Sequence, residues 1–172
     1  MEVKDDFVVT ARVLSPIGML EIVGSKSAIR SVTFLNEGVA DLGAESVDAI
    51  QNDWFSDSLD QLNEYFSGSR TEFSVPLDPI GTDFQKRVWA ELQQIKFGET
   101  ISYQELAERL GDPKSVRAVG GANGKNPIAI IVPCHRVIGA SGKLVGYSGG
   151  LERKKWLLRH ELEFPKSEAE LF

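Results

Sequence analysis

A two-part α/β protein is the fold that this sequence predicts, on three observations. Short runs rich in β-branched and aromatic residues occupy the first part of the chain, and amphipathic helical patterns occupy the second half. The charge balance also changes, because residues 1–80 carry 5 basic and 14 acidic side chains whereas residues 84–160 carry 13 and 6. We expect an N-terminal α/β domain at 1–76, a linker at 77–83, a C-terminal domain at 84–165 and a tail at 166–172.

The N-terminal domain is predicted to be a small antiparallel sheet followed by one helix. Three strands are expected, bounded by turns that contain Pro or Gly, at 7–14, 19–23 and 29–35. Asp57 or Ser58 is expected to cap the helix, and Gly68 is expected to end it. No residue of this domain carries a chemical signature.

The composition excludes several classes of protein. No stretch contains the roughly 18 consecutive apolar residues that a membrane helix needs, and the charged N-terminus does not resemble a signal peptide. The single cysteine, Cys134, excludes an intramolecular disulfide and a zinc site with several thiolate ligands. We therefore expect a cytoplasmic monomer that has no membrane partner and no metal.

The net charge of −6 for the whole chain argues against a nucleic-acid partner. This average hides the difference between the two halves, because the excess of basic over acidic side chains at 84–160 amounts to +7. Phosphate groups attract such a basic surface. Only the C-terminal part has the charge expected of a polyanion-binding protein.

Capping patterns predict two helices at the start of the C-terminal domain. Thr82 and Gln85 have the spacing of a capping box, and an apolar stripe follows them. Ser102 and Glu105 have the same spacing, and Gly111 is expected to end the helix that they begin.

A third helix is expected directly after Gly111, with Asp112 as its cap and Pro113 at its first position. Two helices joined so tightly predict a helix-turn-helix, with an ordinary helical hairpin as the alternative. The outward face of the third helix combines one arginine with small residues, namely Arg117, Ala118, Gly121 and Ala122. Such a face suits a narrow minor groove, although close packing between helices uses small residues equally well.

The residue with the clearest chemical potential is Cys134. The apolar run 128–132 predicts a buried strand that leads into it, and His135 and Arg136 follow it. A neighbouring base or cation favours the reactive thiolate, although a lone cysteine is more often a small buried hydrophobe. Cysteine hydrolases use a Cys–His pair as well, so the residues alone leave the reaction open.

Several motifs together resemble the O6-alkylguanine-DNA alkyltransferase family. They are Pro133-Cys134-His135-Arg136-Val137, the segment 117–122, Asn126-Pro127, Tyr147-Ser148-Gly149-Gly150 and Trp156-Leu157-Leu158. They follow the family's order, and the match is dense from Phe84 to Glu161. The resemblance implies a ribonuclease H-like N-terminal domain and a winged-helix-like helix-turn-helix. It also implies double-stranded DNA with an alkylated guanine as the partner, bound through the minor groove, and no cofactor.

The resemblance also implies roles for individual residues. Cys134 would accept the alkyl group from O6 of a guanine flipped out of the duplex, or from O4-methylthymine. His135 and Glu161, with an intervening water, would draw the proton from the thiol. Tyr103 would displace the adjacent phosphate and protonate the leaving guanine, and Arg117 would fill the vacated space.

Further positions have implied roles around these residues. Asn126 corresponds to a hinge between the recognition helix and the active-site segment. Pocket positions are expected at Val132, Val137, Tyr147 and Ser148, and further DNA contacts at Ala118, Gly121, Ala122 and Arg136. For Glu161 the alternative is an ordinary surface position, and we interpret His160 as an exposed histidine without a role.

Two rival functions stay open at this point. One is a DNA-binding helix-turn-helix module without chemistry, and the other is a cysteine hydrolase with multiple turnovers. Alkyl transfer would instead stop after one turnover, because the product is a thioether, which has no leaving group that water could readily displace.

Overall fold

The N-terminal domain contains the expected antiparallel sheet. The structure is a computed structural model that describes residues 8–25, 27–36 and 53–164. The sheet has the order β1 (Val9–Ser15), β2 (Gly18–Gly24) and β3 (Ile29–Phe34), and its strands are antiparallel. Ala11 and Val13 of β1 alternate with exposed or half-buried neighbours, so one face of the sheet packs into the core. The three predicted strands are confirmed.

The helix of this domain begins earlier than predicted. Helix α1 (Asp53–Ser67) already runs through Asp57 and Ser58, and Ser58 is fully buried instead of capping the helix. Serine and aspartate favour helix starts, but packing of the apolar face overrides this local preference. Gly68 ends the helix with a φ of +84°, a conformation that favours glycine, as expected.

The C-terminal domain is mostly helical. It contains α2 (Asp83–Leu92), α3 (Tyr103–Arg109), α4 (Val116–Gly124) and α5 (Leu151–Glu163), with the short parallel pair β4 (Ile101–Ser102) and β5 (Val137–Ile138). Thr82 and Gln85 form the predicted capping box, and the Ser102 hydroxyl accepts a hydrogen bond from the Glu105 amide. Helices α3 and α4 pack together as the predicted helix-turn-helix.

Helix α4 begins at Val116, later than predicted. The segment from Asp112 to Ser115 forms a separate turn, in which the Ser115 amide donates to the Asp112 carbonyl at 3.0 Å. The Asp112 carboxylate accepts from the Lys114 amide at 3.1 Å. Asp112 therefore stabilises a turn before the helix, which is another preferred use of this residue type.

The apolar run 128–132 is not a strand, which corrects the sequence prediction. It forms tight turns in which the Val132 amide donates to the Ile128 carbonyl at 3.0 Å. Ile130 has a φ of +72°, a costly conformation for a β-branched residue, and its side chain is fully buried. An apolar run identifies burial but does not distinguish a strand from a buried turn.

The edge of β3 joins the two domains. The Val32 amide donates to the Pro127 carbonyl at 3.0 Å, and the Val32 carbonyl accepts from the Ala129 amide at 2.9 Å. Farther along β3, Ile29 pairs in the same way with the segment 76–78 of the predicted linker. The N-terminal sheet therefore holds the segment that leads to Cys134. The predicted tail at 166–172 lies outside the described residues.

Neither domain presents a membrane-spanning segment in its described part. Over residues 8–25, 27–36 and 53–164, no helix combines the length and the apolar character needed to cross a membrane.

Candidate active site

Cys134 lies in a single 3-10 turn, Cys134–Arg136, immediately after Pro133. Its side chain is buried, with 4% exposed. Burial raises the pKa of the Cys134 thiol above its ordinary value, and the Asn126 amide and the Lys154 charge offset this only in part. The resting form is therefore the thiol, and a base has to remove its proton before Cys134 can act as a nucleophile.

His135 is placed to be that base. Its ring is fully buried, and Nε2 lies 2.7 Å from Oε1 of Glu161. Because an ionised carboxylate only accepts hydrogen bonds, Nε2 carries a hydrogen, and Nδ1 is the nitrogen that would accept a proton when the ring acts as a base. Nδ1 is buried and has no hydrogen-bond partner among the described residues. Within the described part of the chain, this arrangement leaves one ring nitrogen unbonded in the residue that follows Cys134 along the chain.

Glu161 is an internal carboxylate, which excludes the alternative of a surface position. Burial would raise the pKa of the Glu161 carboxyl, but electrostatic attraction and hydrogen bonds from His135 and Arg136 outweigh it and hold the pKa well below its usual range. Arg136 binds both carboxylate oxygens, with Nε 2.8 Å from Oε2 and Nη2 2.9 Å from Oε1. Glu161 therefore stays ionised and fixes the orientation of the imidazole.

Arg136 does not lie on a DNA-facing surface, which corrects the prediction of a DNA contact. Its side chain is buried against Glu161, and Nη1 donates to the Ile95 carbonyl at 2.6 Å. The guanidinium also lies 5.8 Å from the centre of the Phe97 ring. A buried carboxylate needs a buried cation, and this internal pairing leaves Arg136 unavailable to phosphate.

Asn126 stabilises the irregular segment that precedes Cys134. Its Nδ2 donates to the Val132 carbonyl at 2.8 Å, and its Oδ1 accepts from the Ile128 amide at 3.0 Å. These bonds span the segment that contains the strained Ile130. The side chain thus connects the end of α4 with the turn that carries the thiol, a place that fits the predicted hinge.

Tyr103 and Lys154 both bind the loop between β5 and α5. The Tyr103 hydroxyl donates to the Val145 carbonyl at 3.0 Å. Lys154 is fully buried, and its Nζ donates to the carbonyls of Val137 at 2.7 Å and Val145 at 3.0 Å. Burial lowers the pKa of Lys154, and the proximity of Cys134 opposes that shift. The charge of Lys154 in turn lowers the pKa of the Cys134 thiol, against the larger effect of burial.

Tyr147 and Ser148 are neighbours in this loop, but the Tyr147 ring packs against the protein whereas Ser148 faces the solvent. The Tyr147 ring packs edge-on against Phe34 of β3 at 6.3 Å, and burial raises the pKa of its hydroxyl. Ser148 is exposed. A Cβ at Gly149 would lie 2.7 Å from the Phe34 ring, so the loop approaches the N-terminal domain too closely for a larger residue. Ser148 stays accessible to a ligand.

Two predicted pocket positions lie inside the core. Val132 is 1% exposed and Val137 is completely buried. The carbonyl of Val132 is bound by Asn126, and that of Val137 is bound by Lys154. Both side chains are as buried as Cys134 itself, so their assignment as pocket positions stays a prediction. A cavity of about 560 Å³ lies behind the same turn, lined in part by Phe73, but Cys134 is not among its lining residues.

The outward face of α4 carries three of the four DNA contacts that were predicted on this helix. Arg117, Ala118 and Gly121 are exposed. A Cβ added at Gly121 would meet no atom within 4 Å, so packing within the chain does not require a small residue there. Ala122 instead faces the core, where its carbonyl accepts from Trp89 Nε1 at 2.9 Å, and this corrects its predicted place on the outer face.

Family comparisons cover both halves of the chain. A family model for the DNA-binding domain of 6-O-methylguanine DNA methyltransferase matches residues 83–163. A second model, for the ribonuclease-like domain of the same protein, matches residues 9–79. A methylated-DNA–protein-cysteine methyltransferase of Mycobacterium bovis is 50% identical over 163 residues, which cover 91% of this chain and 93% of that protein. One of Methanosarcina acetivorans is 46% identical, covering 86% and 94%.

Solved structures agree with the sequence comparisons. The crystal structure of Mycobacterium tuberculosis O6-methylguanine methyltransferase matches with a TM-score of 0.83 and 48% identity, covering 96% of this chain and 99% of that one. A structure of the M. tuberculosis protein in complex with DNA matches with a TM-score of 0.80 and 49% identity, covering 95% and 98%. The chain belongs to the 6-O-methylguanine DNA methyltransferase family. The predicted family and fold class are confirmed.

For this methyltransferase family member, the structure brings Cys134, His135 and Glu161 into one buried group. Tyr103 interacts electrostatically with Cys134, whereas Arg117 lies on the exposed face of α4. Their catalytic and DNA-binding roles stay predictions. In residues 8–25, 27–36 and 53–164, no cluster of three or more His, Cys, Asp or Glu could hold a metal ion.

Sequence reasoning missed three residues around this group. Tyr65 donates to Glu161 at 2.8 Å, and Lys154 lies close to Cys134. His160 is buried and stacks on Trp156 at 4.9 Å, which corrects its interpretation as an exposed histidine. His160 lies three residues after Leu157 and four after Trp156 along α5, a spacing that is a signal for a buried helical face, but no sequence signal identifies Tyr65.

Proposed function

We propose that this chain repairs DNA by moving a methyl or other small alkyl group from O6 of guanine to Cys134, once per molecule. The observation that carries the proposal is the buried series Cys134, His135 and Glu161, in which the imidazole has one nitrogen on the carboxylate and the other free. A thiol that burial keeps protonated needs such a base. Family membership supports methyl transfer as the reaction.

The reaction balances without a cofactor. His135, oriented by Glu161 and acting through a water, takes the proton from the Cys134 sulfur. The thiolate attacks the alkyl carbon, so that an S–C bond forms as the bond from carbon to O6 breaks. Tyr103 donates a proton to the leaving guanine, which remains in the DNA as a normal base. The thioether on Cys134 has no good leaving group, so each molecule reacts once.

The same chemistry extends to O4-methylthymine, in which the alkyl group is likewise attached to an oxygen of a base. Either base has to be flipped out of the duplex, because the reacting carbon is inaccessible in the stack. Cys134 is 4% exposed, so the residues around it also have to move apart for the base to enter. The bond from Tyr103 to the Val145 carbonyl has to break before Tyr103 can reach a phosphate.

The outward face of α4 is the proposed DNA-binding surface, placed in the minor groove. Ala118 and Gly121 let the helix approach the duplex closely, and Arg117 fills the space that the flipped base leaves. The complex of the M. tuberculosis protein with DNA supports DNA as the partner. Basic residues that flank this face, Lys114 and Lys125, are exposed and suited to phosphate contacts.

Intact-protein mass spectrometry tests the reaction directly. After incubation with excess duplex containing O6-methylguanine, we expect a single mass gain of one CH2 unit, located on Cys134 by peptide mapping. The gain should stop at one equivalent. An unchanged mass beside tight DNA binding would favour a binding module without chemistry, and repeated hydrolysis of an ester would favour a cysteine hydrolase.

Replacing Arg117 with alanine is expected to slow repair of duplex DNA by at least about tenfold, because unstacking a base costs a few kcal/mol and Arg117 would offset part of it. Stability should change by no more than about 0.5 kcal/mol, since the side chain is exposed. The measurement is the single-turnover rate on duplex and on single-stranded substrate. The defect should disappear on the single strand, which has no stack to fill.

Lys114→Ala is the matched control for this experiment, because Lys114 is another exposed cation just before α4. If Arg117 acts only through its charge, both variants will weaken binding to a similar extent on both substrates. That result would contradict the proposed insertion of Arg117 into the duplex.

A further inference from the structure

Tyr65, in the N-terminal domain, contacts the carboxylate of the candidate active site. The residue lies on α1 and is fully buried. Its hydroxyl donates to Oε1 of Glu161 at 2.8 Å, and His135 Nε2 lies 2.7 Å from the same oxygen. The N-terminal domain therefore contributes a side chain that shares Oε1 of Glu161 with the imidazole.

The position of Tyr65 is fixed from several sides. Its ring packs against Phe66, Phe73 and Phe97 at centroid distances of 5.3, 5.6 and 5.9 Å. Its carbonyl oxygen lies 2.7 Å from His160 Nε2, which precedes Glu161 on α5. Tyr65 is thus held through both its ring and its backbone, and its hydroxyl cannot leave Glu161 without disturbing the interface between α1 and α5.

The hydrogen-bond partners of the Glu161 carboxylate among the described residues are all able to donate. Oε1 accepts hydrogen bonds from the Tyr65 hydroxyl and Arg136 Nη2 and is also hydrogen-bonded to His135 Nε2. Oε2 accepts hydrogen bonds from Arg136 Nε and, at 3.4 Å, from the Gly98 amide. Burial and the neighbouring carboxylate raise the pKa of Tyr65 well above its ordinary value, so it remains a neutral donor. Tyr65, Arg136 and the imidazole therefore share Oε1 as their hydrogen-bond acceptor.

We infer that Tyr65 is a positioning residue for alkyl transfer. It acts through Glu161, because its hydrogen bond to the carboxylate sets how strongly that carboxylate holds the proton on His135. This inference rests on the proposed function. A hydrogen bond from Tyr65 withdraws electron density from Oε1, so the carboxylate attracts the imidazole hydrogen less. Without that bond, the imidazole stays protonated to higher pH and is unable to accept the thiol proton there.

The first test compares Tyr65→Phe with the unchanged protein in single-turnover methyl transfer between pH 5 and pH 9. The variant keeps the ring and loses only the hydroxyl. In both proteins the rate should fall at acidic pH, and we expect the midpoint of this fall to lie about half a unit to one unit higher in the variant. The variant should therefore react several-fold more slowly than the unchanged protein at pH 6 and at nearly the same rate at pH 9. A uniform decrease at every pH would indicate a structural role only and would overturn the inference.

A second variant covers the case in which Tyr65→Phe does not fold. Incorporation of 3,5-difluorotyrosine at position 65 keeps the ring and the hydroxyl but makes the phenol a stronger donor. The fall in rate should then move to lower pH, opposite to the effect of Tyr65→Phe. A profile unchanged from that of the natural residue would overturn the inference.

Phe73→Leu is the matched control, because Phe73 packs on the Tyr65 ring and has no contact with Glu161 among the described contacts. It should lower the melting temperature without moving the pH profile. A shift in this control equal to that in Tyr65→Phe would assign the effect to packing and overturn the inference.

Reaction of the single cysteine with iodoacetamide, followed over the same pH range, distinguishes the two levels of proposal. This reaction reports loss of the Cys134 proton without DNA. If the unchanged protein accepts no methyl group from DNA, the proposed function fails, and the iodoacetamide profiles still test Tyr65. If methyl transfer proceeds but neither set of profiles depends on the Tyr65 hydroxyl, only the inference about Tyr65 fails.

Discussion

Replacing Cys134 with alanine is expected to reduce alkyl transfer to an undetectable level while DNA binding persists. The reacting sulfur is the only thiol in the chain, so no other cysteine can substitute for it. The exposed face of α4, which would bind the duplex, does not include Cys134. The side chain is small and buried, so its truncation should cost only about 1 kcal/mol of stability.

The measurement combines mass spectrometry with a DNA-binding assay on a duplex that contains O6-methylguanine. Cys134→Ser is the matched control, because it preserves size and polarity but offers a hydroxyl, a much weaker nucleophile than a thiolate. Both variants should bind the lesion without gaining mass. A mass gain in Cys134→Ala would show that another residue accepts the alkyl group, and loss of binding in both variants would place Cys134 in DNA recognition.

Replacing Glu161 with glutamine is expected to destabilise the protein by about 3–5 kcal/mol near neutral pH, because it leaves the buried charge of Arg136 without its partner. The pKa of Glu161 is lower in the folded protein than in the unfolded chain. A lowered pKa contributes stability at pH values above the unfolded value of about 4.3, and this stability is lost progressively as the pH falls below it.

The difference in the free energy of unfolding between the two proteins should therefore be largest at pH 7 and smaller at pH 3. Urea unfolding at both pH values measures it. Glu163→Gln is the matched control, because Glu163 lies on the same helix but is exposed. Its effect should stay within about 0.5 kcal/mol at either pH. If Glu161→Gln were as stable as this control at pH 7, the ion pair with Arg136 would not stabilise the fold.

The two predictions concern different properties of one buried group. We expect Cys134 to be required for the reaction and to add little to stability, and we expect Glu161 to contribute to both. The Glu161 carboxylate pairs with Arg136 and is hydrogen-bonded to His135. In the proposed mechanism, one negative charge would therefore stabilise the fold and orient the base.

The sequence by itself determined the features that depend on neighbours along the chain. Thr82 and Gln85 cap α2 as predicted, because a capping box needs only a spacing of three residues. The strands of the sheet and the helix-turn-helix followed from periodicity and turn residues in the same way. The family was identifiable because each of its motifs, such as Pro133-Cys134-His135-Arg136-Val137, is contiguous in the sequence.

Only the tertiary structure decided which side chains meet and which face water. Tyr65 and Glu161 are 96 residues apart, so no local pattern relates them. The resemblance implied that Arg136 is a DNA contact, but a buried carboxylate keeps it inside the protein. The buried turn at Ile130 was predicted as a strand because both conformations bury an apolar run. In each case the deciding energy comes from residues distant in sequence, whose positions the complete fold determines.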